Sequence, residues 1–300
     1  MRTIRYIVEP QEDGRRVGSY LRGVAGISNR LLVDLKKTDY GIRCNGVHVR
    51  VIDRVHAGDE LCITIDDHPK EYLATPIEVP ILFEDEDLLV YNKPAGMASH
   101  QSRRNQTDSL GNAFAWHCQQ MGLAISFRPV NRLDKDTSGI VLVAKNQHAA
   151  SQLNGAAEKA YFAVVCGRME EDQGTVEAPI RRINEVYTKR MVSPDGQYAK
   201  TDWEVLSRGE GYSLLRLRLS TGRTHQIRVH MAHIGHPLAG DDLYGGDLAI
   251  IPRQALHCGW VRFPHPVTGG WLEFSAPLPE DMQAILPHAG ADPQTMMNVL

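Results

Sequence analysis

The sequence predicts an α+β fold in two parts: a small amino-terminal unit and a larger one dominated by strands. Three observations carry this. Apolar residues recur at helical spacing early in the chain, at Val17, Tyr20, Leu21 and Val24, then at Leu31, Leu32 and Leu35. Short strand-like runs separated by turn residues follow, at Ile42–Cys44 and Glu60–Ile65, with Asn45-Gly46 and Ala57-Gly58-Asp59 between them. From residue 77 onward, apolar runs of strand length alternate with polar loops.

In chain order, residues 1–65 form the first unit, with Ser28 or Asn29 as candidate N-cap of its second helix. The polar, proline-bounded stretch 66–76 reads as a linker, 77–287 as the second unit, and 288–300 as a flexible tail. Within the second unit, strands are expected at 81–83 and 88–92 around an acidic turn. Others are expected at 140–145, at 161–166 and as a hairpin of 203–206 with Tyr212–Leu219. A helix is expected over 147–158. Another is expected to open on Thr224 as N-cap and to end at Gly235 and Pro237, with Ile227, Met231 and Ile234 as its buried stripe.

Composition limits the function classes. A hydrophobic share of 42% with 23% charged residues is that of an ordinary globular protein. The five cysteines (44, 62, 118, 166 and 258) are scattered without a C-x-x-C pair, so neither a disulfide framework nor a zinc knuckle is expected. No signal peptide and no apolar run of membrane length is present, which points to a cytoplasmic protein without membrane contact. Net charge is −3, but residues 1–65 carry eleven basic against eight acidic groups, so a mildly basic unit precedes an acidic remainder.

Four segments stand out chemically: NKPAGM (92–97), NRLDKDTSG (131–139), KAY (159–161) and TGRTHQIRVH (221–230). Asp134 lies on a tight loop at a strand entrance, a common position for catalytic groups. Taken singly, each residue has a plainer role: an Asp before Thr-Ser-Gly caps a turn, Tyr161 packs in a core, and Arg228 lies exposed on a helix. Four histidines (225, 230, 233 and 236) raise the alternative of a metal site. They spread over several helical faces and no H-E-x-x-H is present, so no metal is expected.

Together, Arg-Leu-Asp-x-x-Thr-Ser-Gly, Lys-x-Tyr and Gly-Arg-x-His-Gln-Ile-Arg, in this order, resemble the RluA family of pseudouridine synthases. The likeness spans about residues 80–285, including LHCGWVRFPHPVTG (256–269) and FSAPLP (274–279). It implies a catalytic domain with a mixed, mainly antiparallel central sheet flanked by helices and loops. The implied activity is the cofactor-independent isomerisation of uridine in structured RNA, with the base flipped out of its stack. By resemblance, Asp134 is the catalytic carboxylate, which must be ionised. Arg228 is its salt-bridging partner, Tyr161 packs against the target base, and Arg132 fills the space the uridine leaves. Lys159, Arg223 and His225 flank the site as RNA-binding candidates. A departure is Asn131, where many relatives have histidine; either side chain can hydrogen-bond the loop.

The amino-terminal pattern GRRVGSYLRG…SNRLLVDLKK…IRCNGVHVR…VHAGDEL is similar to a small RNA-binding domain of a small-subunit ribosomal protein. The likeness implies that Arg30, Lys36, Lys37 and Arg43 face phosphate. A basic strip through Arg103, Arg104, Arg181, Arg182, Lys189 and Arg190 is a further candidate RNA contact. The expected partner is ribosomal RNA of the large subunit, then transfer RNA, and the chain is expected to act as a monomer. The competing reading is a non-catalytic RNA-binding or assembly factor, against which the complete set Asp134, Tyr161 and Arg228 speaks.

Overall fold

Two helices packed on a four-stranded antiparallel sheet account for the amino-terminal architecture. In the computed structural model, which describes residues 1–66, 72–101, 106–184 and 188–292, β1 (Arg2–Ile7) opens the chain. It is followed by α1 (Val17–Gly23), α2 (Asn29–Lys37), β2 (Ile42–Cys44), β3 (Val47–His48) and β4 (Glu60–Ile65). The strands form an antiparallel sheet in the order β1-β4-β2-β3. The β1 strand was not expected from the sequence, because only pairing with β4 at the far end of the unit reveals it. Ser28 caps α2, its Oγ accepting the Leu31 N–H at 3.2 Å. Val17, Leu21, Leu31, Leu35, Leu61 and Ile63 share one core cluster. Val24, expected in the helical stripe, lies instead at the C-cap of α1 and is exposed.

The second unit is organised by a ten-stranded sheet. In chain order it contributes β5 (Ile81–Glu84), β6 (Leu88–Lys93), α3 (Leu110–Gln120), β7 (Arg128–Pro129), β8 (Ser138–Ala144), α4 (Gln147–Leu153), β9 (Glu158–Cys166) and β10 (Gln173–Glu177). A separate two-stranded ribbon, β11 (Ile180–Arg182) and β12 (Arg190–Val192), comes next. Then follow β13 (Lys200–Arg208), β14 (Tyr212–Leu219), α5 (Gln226–His233), β15 (Leu256–Pro264), β16 (Trp271–Ser275) and α6 (Glu280–Ile285). The path runs β10-β13-β14-β9-β15-β8-β6-β5, with β16 beside β15 and β7 beside β8. Every pairing is antiparallel except β8 with β15, so the sheet is mixed and mainly antiparallel.

The period-2 rule divides the core between the two faces. Along β9, Tyr161, Ala163 and Val165 join one cluster with α3, α4 and α5, while Ala160, Phe162 and Val164 join another with α6. All seven residues of β8 are buried, as expected of a strand covered on both faces.

Several local expectations are corrected. The helix expected over 147–158 ends at Leu153, because Gly155 takes a left-handed conformation (φ 77°) and β9 begins at Glu158, not at 161. Helix α3 was not anticipated; Ser109 and Asn112 form its capping box and Leu110, Ala113, Phe114 and Cys118 its buried side. The beginning of the tail expected over 288–300 is not loose, since Ala289 and Ala291 are buried against the sheet. Of the stretch 66–76, residues 67–71 lie outside the described residues, as do 293–300 of the tail. The two units touch directly: Arg2 grips Asp87 through Nε and Nη2 (2.9 and 2.8 Å), and Gln152 donates to the Gly26 carbonyl.

Candidate active site

The loop 131–137 is pinned from several sides. Asn131 bridges into β8, its side-chain amide donating to the Ile140 carbonyl while its oxygen accepts the Leu142 N–H. Ser99 donates to the Leu133 carbonyl and accepts the Leu133 N–H. Thr137 N–H closes a turn on the Asp134 carbonyl at 3.1 Å. Lys93, wholly buried at the end of β6, donates to the carbonyls of Pro94, Met97 and Lys135. Burial pulls the Lys93 ammonium down to about 7, against the opposing pull of Asp136 and Asp134. Arg253 reaches the Asp136 carbonyl while its other edge pairs with Asp281. Gly139 (φ 112°) sits where a Cβ would collide with the Cys258 backbone, so only glycine lets β8 approach β15 this closely.

This clamped loop presents Asp134 to α5. Arg228 Nη1 lies 3.2 Å from Asp134 Oδ2, and its Nε and Nη2 make a bidentate pair with Asp241 at 2.6 and 2.8 Å. Arg228 is therefore the centre of a carboxylate–guanidinium–carboxylate row, with the Asp241 side chain fully buried and Asp134 26% exposed toward the cleft. Burial opposes the charged guanidinium, but Asp241 and Asp134 outweigh it and raise the Arg228 pKa, so the group stays cationic. The Tyr244 ring lies 5.1 Å from its guanidinium carbon.

Thr224 does not cap α5. The N-cap is His225, in a left-handed conformation (φ 57°) rare for a residue with a Cβ. The Gln226 side chain takes over the local bonding, its oxygen accepting from Thr221 Oγ1 and the Arg223 N–H. The strained backbone places His225 Nε2 3.9 Å from Asp134 Oδ2 and its Nδ1 2.9 Å from Tyr244 Oη. Burial lowers the His225 pKa despite Asp134, so the ring is neutral near pH 7. Tyr244 Oη accepts the Arg190 N–H and shares a hydrogen bond with His225 Nδ1, so one hydroxyl holds both the ribbon backbone and the histidine ring. Burial also raises the Tyr161 phenol well above its ordinary value, so it remains protonated.

A cleft of 660 Å³ is lined by Asn131, Arg132, Asp134, Lys159, Tyr161 and Arg223, among others. An adjoining recess of 80 Å³ joins Arg132, Asp134, Tyr161, His225 and Arg228. The structure thus unites all three residues assigned to catalysis by resemblance, with Arg132, Lys159, Arg223 and His225 around them. It corrects two plain readings: Arg228 is buried on its helix, and α5 is buried on nearly every side, including Gln226, Val229 and His230. The histidines do not converge: His230 binds Thr201 and the Ala178 carbonyl, and His236 the Cys166 carbonyl. Of the amino-terminal residues, Arg30, Lys36 and Lys37 are exposed on α2, whereas Arg43 is half-buried in β2 and bonds Thr64. Arg103 and Arg104 lie outside the described residues.

Sequence reasoning missed Asp241 and Tyr244, which lie in the glycine-rich GDDLYGG stretch (240–246). A carboxylate and an aromatic residue between left-handed glycines, just after the arginine helix, was the available signal.

Comparison with known proteins places this arrangement in a class. The family model for RNA pseudouridylate synthase matches residues 87–233. The Bacillus subtilis protein called uncharacterized RNA pseudouridine synthase YjbO is 44% identical over 271 residues, covering 88% of this chain and 96% of that protein. Ribosomal large subunit pseudouridine synthase D of Pseudomonas aeruginosa is 37% identical over 268 residues, covering 83% of each. Among solved structures, human RNA pseudouridylate synthase domain containing 1 superposes with a TM-score of 0.54 at 26% identity, covering 67% of this chain and 83% of that one. The chain belongs to the RNA pseudouridylate synthase family. It is an RNA pseudouridine synthase, an isomerase acting on uridine in RNA.

Proposed function

We propose that Asp134 is the carboxylate that starts the isomerisation, and that large-subunit ribosomal RNA is the substrate. One observation carries the first part: among the described residues, Asp134 is the only carboxylate lining either the cleft or its inner recess. The reaction breaks the bond from uracil N1 to the ribose C1′ and forms one from C5 to the same carbon. The C5 proton leaves and N1 gains one, so atoms and electrons balance without a cofactor. Arg228 keeps a positive charge against the Asp134 carboxylate, and Asp241 fixes the orientation of that charge. With its phenol protonated, Tyr161 offers the flipped base a ring face and an O–H donor, not a base. Exposed Arg132 at the rim of the cleft is placed to occupy the gap left in the stack. Lys159, Arg223 and His225 border the same space and would hold the RNA around the flipped nucleotide.

The substrate rests on relatives named as large-subunit ribosomal enzymes, and on the amino-terminal unit as an RNA-binding domain. A groove of 460 Å³ between the units is lined by Ser28 and Arg30 on one side and Arg128, Gln147 and Asn154 on the other. It shares Pro129, Val130 and Asn154 with the cleft, so one strand of RNA could run through both. The protein would act in the cytoplasm as a monomer, which sedimentation checks. The decisive test is pseudouridine mapping in a strain lacking this gene, complemented by wild type or by Asp134→Asn. Loss of a large-subunit site, restored only by wild type, is expected; restoration by the variant would remove Asp134 from its role.

A further inference from the structure

Beside the cleft, the ribbon of β11 and β12 sets two arginines directly opposite each other: Arg182 pairs with Arg190 across the strands. Like charges directly opposite each other across a strand pair repel and destabilise it. The ribbon forms one wall of a 300 Å³ pocket lined by Arg181, Arg182, Arg190 and Arg223, with Asp195 as its only carboxylate among the described residues. Asp195 lies 3.1 Å from Arg181 Nε, which leaves three guanidiniums in excess. Burial and the Arg182 charge both weigh against protonation of Arg190. Arg223 and Thr224 line this pocket and the main cleft alike, so the two spaces adjoin. The backbone of Arg190 is anchored by Tyr244, the residue that also orients His225, which ties the ribbon to the Asp134 centre.

We propose that this pocket binds a phosphodiester of the RNA strand next to the flipped nucleotide, held between Arg182 and Arg190 with Arg223 at the boundary. An anion there removes the repulsion that the free protein carries, and a forked guanidinium suits phosphate oxygens. The proposal rests on RNA being the ligand of the cleft, as the family assignment requires. It goes further by locating where the strand leaves the site.

The test uses the full chain and a 5-[³H]uridine-labelled large-subunit ribosomal RNA transcript. Binding is measured against salt for wild type, Arg182→Ala/Arg190→Ala and Arg182→Lys/Arg190→Lys. The alanine pair should bind about tenfold more weakly, and its slope of log affinity against log salt should be shallower by about one per arginine. The lysine pair should recover most of the slope. Thermal melting separates binding from folding: removing facing like charges should leave the melting temperature equal or higher. Unchanged affinity and slope in the alanine pair, or weaker binding only alongside a lower melting temperature, would overturn the proposal. Phosphate contacts do not depend on which uridine reacts. Failure of wild type to release tritium therefore counts against the proposed substrate and leaves the slope comparison valid.

Discussion

In the cleft, Arg228 is almost fully buried and both its edges are engaged, by Asp241 on one side and Asp134 on the other. In the amino-terminal unit, Arg30, Lys36 and Lys37 stand in solvent along α2, whose buried side is only the leucine stripe. Under the proposed function both regions meet the same polyanion, yet they are built under different constraints. A buried guanidinium must be satisfied by exact partners, because an unpaired buried charge is costly. An exposed lysine needs no partner and can move along the helix face with little loss. Motifs around the first are consequently strict, and patterns around the second are loose.

The sharpest break in this comparison is Asp134→Asn. Turnover, followed by tritium release from 5-[³H]uridine RNA, should fall by roughly 10²–10⁴-fold or more, while folding and RNA binding persist. Retained turnover would show that the buried row is only structural. Next comes Asp241→Ala, which removes the stronger partner of Arg228 from a fully buried position. It should cost about 3–5 kcal/mol in denaturant unfolding. A loss below about 1 kcal/mol would mean that the row tolerates solvent.

A third test concerns pH. His257 is buried on β15, accepting from Ser138 Oγ of β8 and donating to the Ala276 carbonyl. Burial, aided by Arg253, lowers its pKa to about 4. Between that value and the unfolded value of about 6.5, the unfolded chain binds the proton and the folded one does not. Stability should therefore fall with decreasing pH, by on the order of 2 kcal/mol from pH 6.5 to 5. His257→Gln should flatten that part of the profile; an equally steep profile in the variant would assign the slope to other groups. The smallest expected effect lies on the amino-terminal unit. Lys36→Ala and Lys37→Ala should each make the salt dependence of RNA binding shallower by about one, with little change in stability. No change in slope would leave α2 a packing element alone.

The two regions also differ in how far their residues could be read from the chain. Asp134, Tyr161 and Arg228 were legible because each sits in a short, chemically unusual run, and the three runs occur together. The helix α2 was legible from leucine spacing and from a serine at its start. By contrast, the αL conformation of His225 has no local signal: a threonine just before the helix was the better cap by type, but the Gln226 side chain and the Tyr244 hydroxyl decide otherwise. Strand β1 and ribbon β11–β12 were invisible because they exist only through pairing.

By itself the sequence determined much of the alternation of strands and helices, the family, and which carboxylate to propose for the reaction. Those properties depend on side-chain type at short spacing. Only the tertiary structure decided that Lys93, Ser99 and Arg253 clamp the loop, and that Asp241 and Tyr244 complete the centre. Asp134 and Arg228 are 94 positions apart in the chain. Sheet order and the close parallel approach of β8 to β15 bring such distant groups within hydrogen-bond reach, and burial there makes every unpaired polar atom costly enough to require a partner.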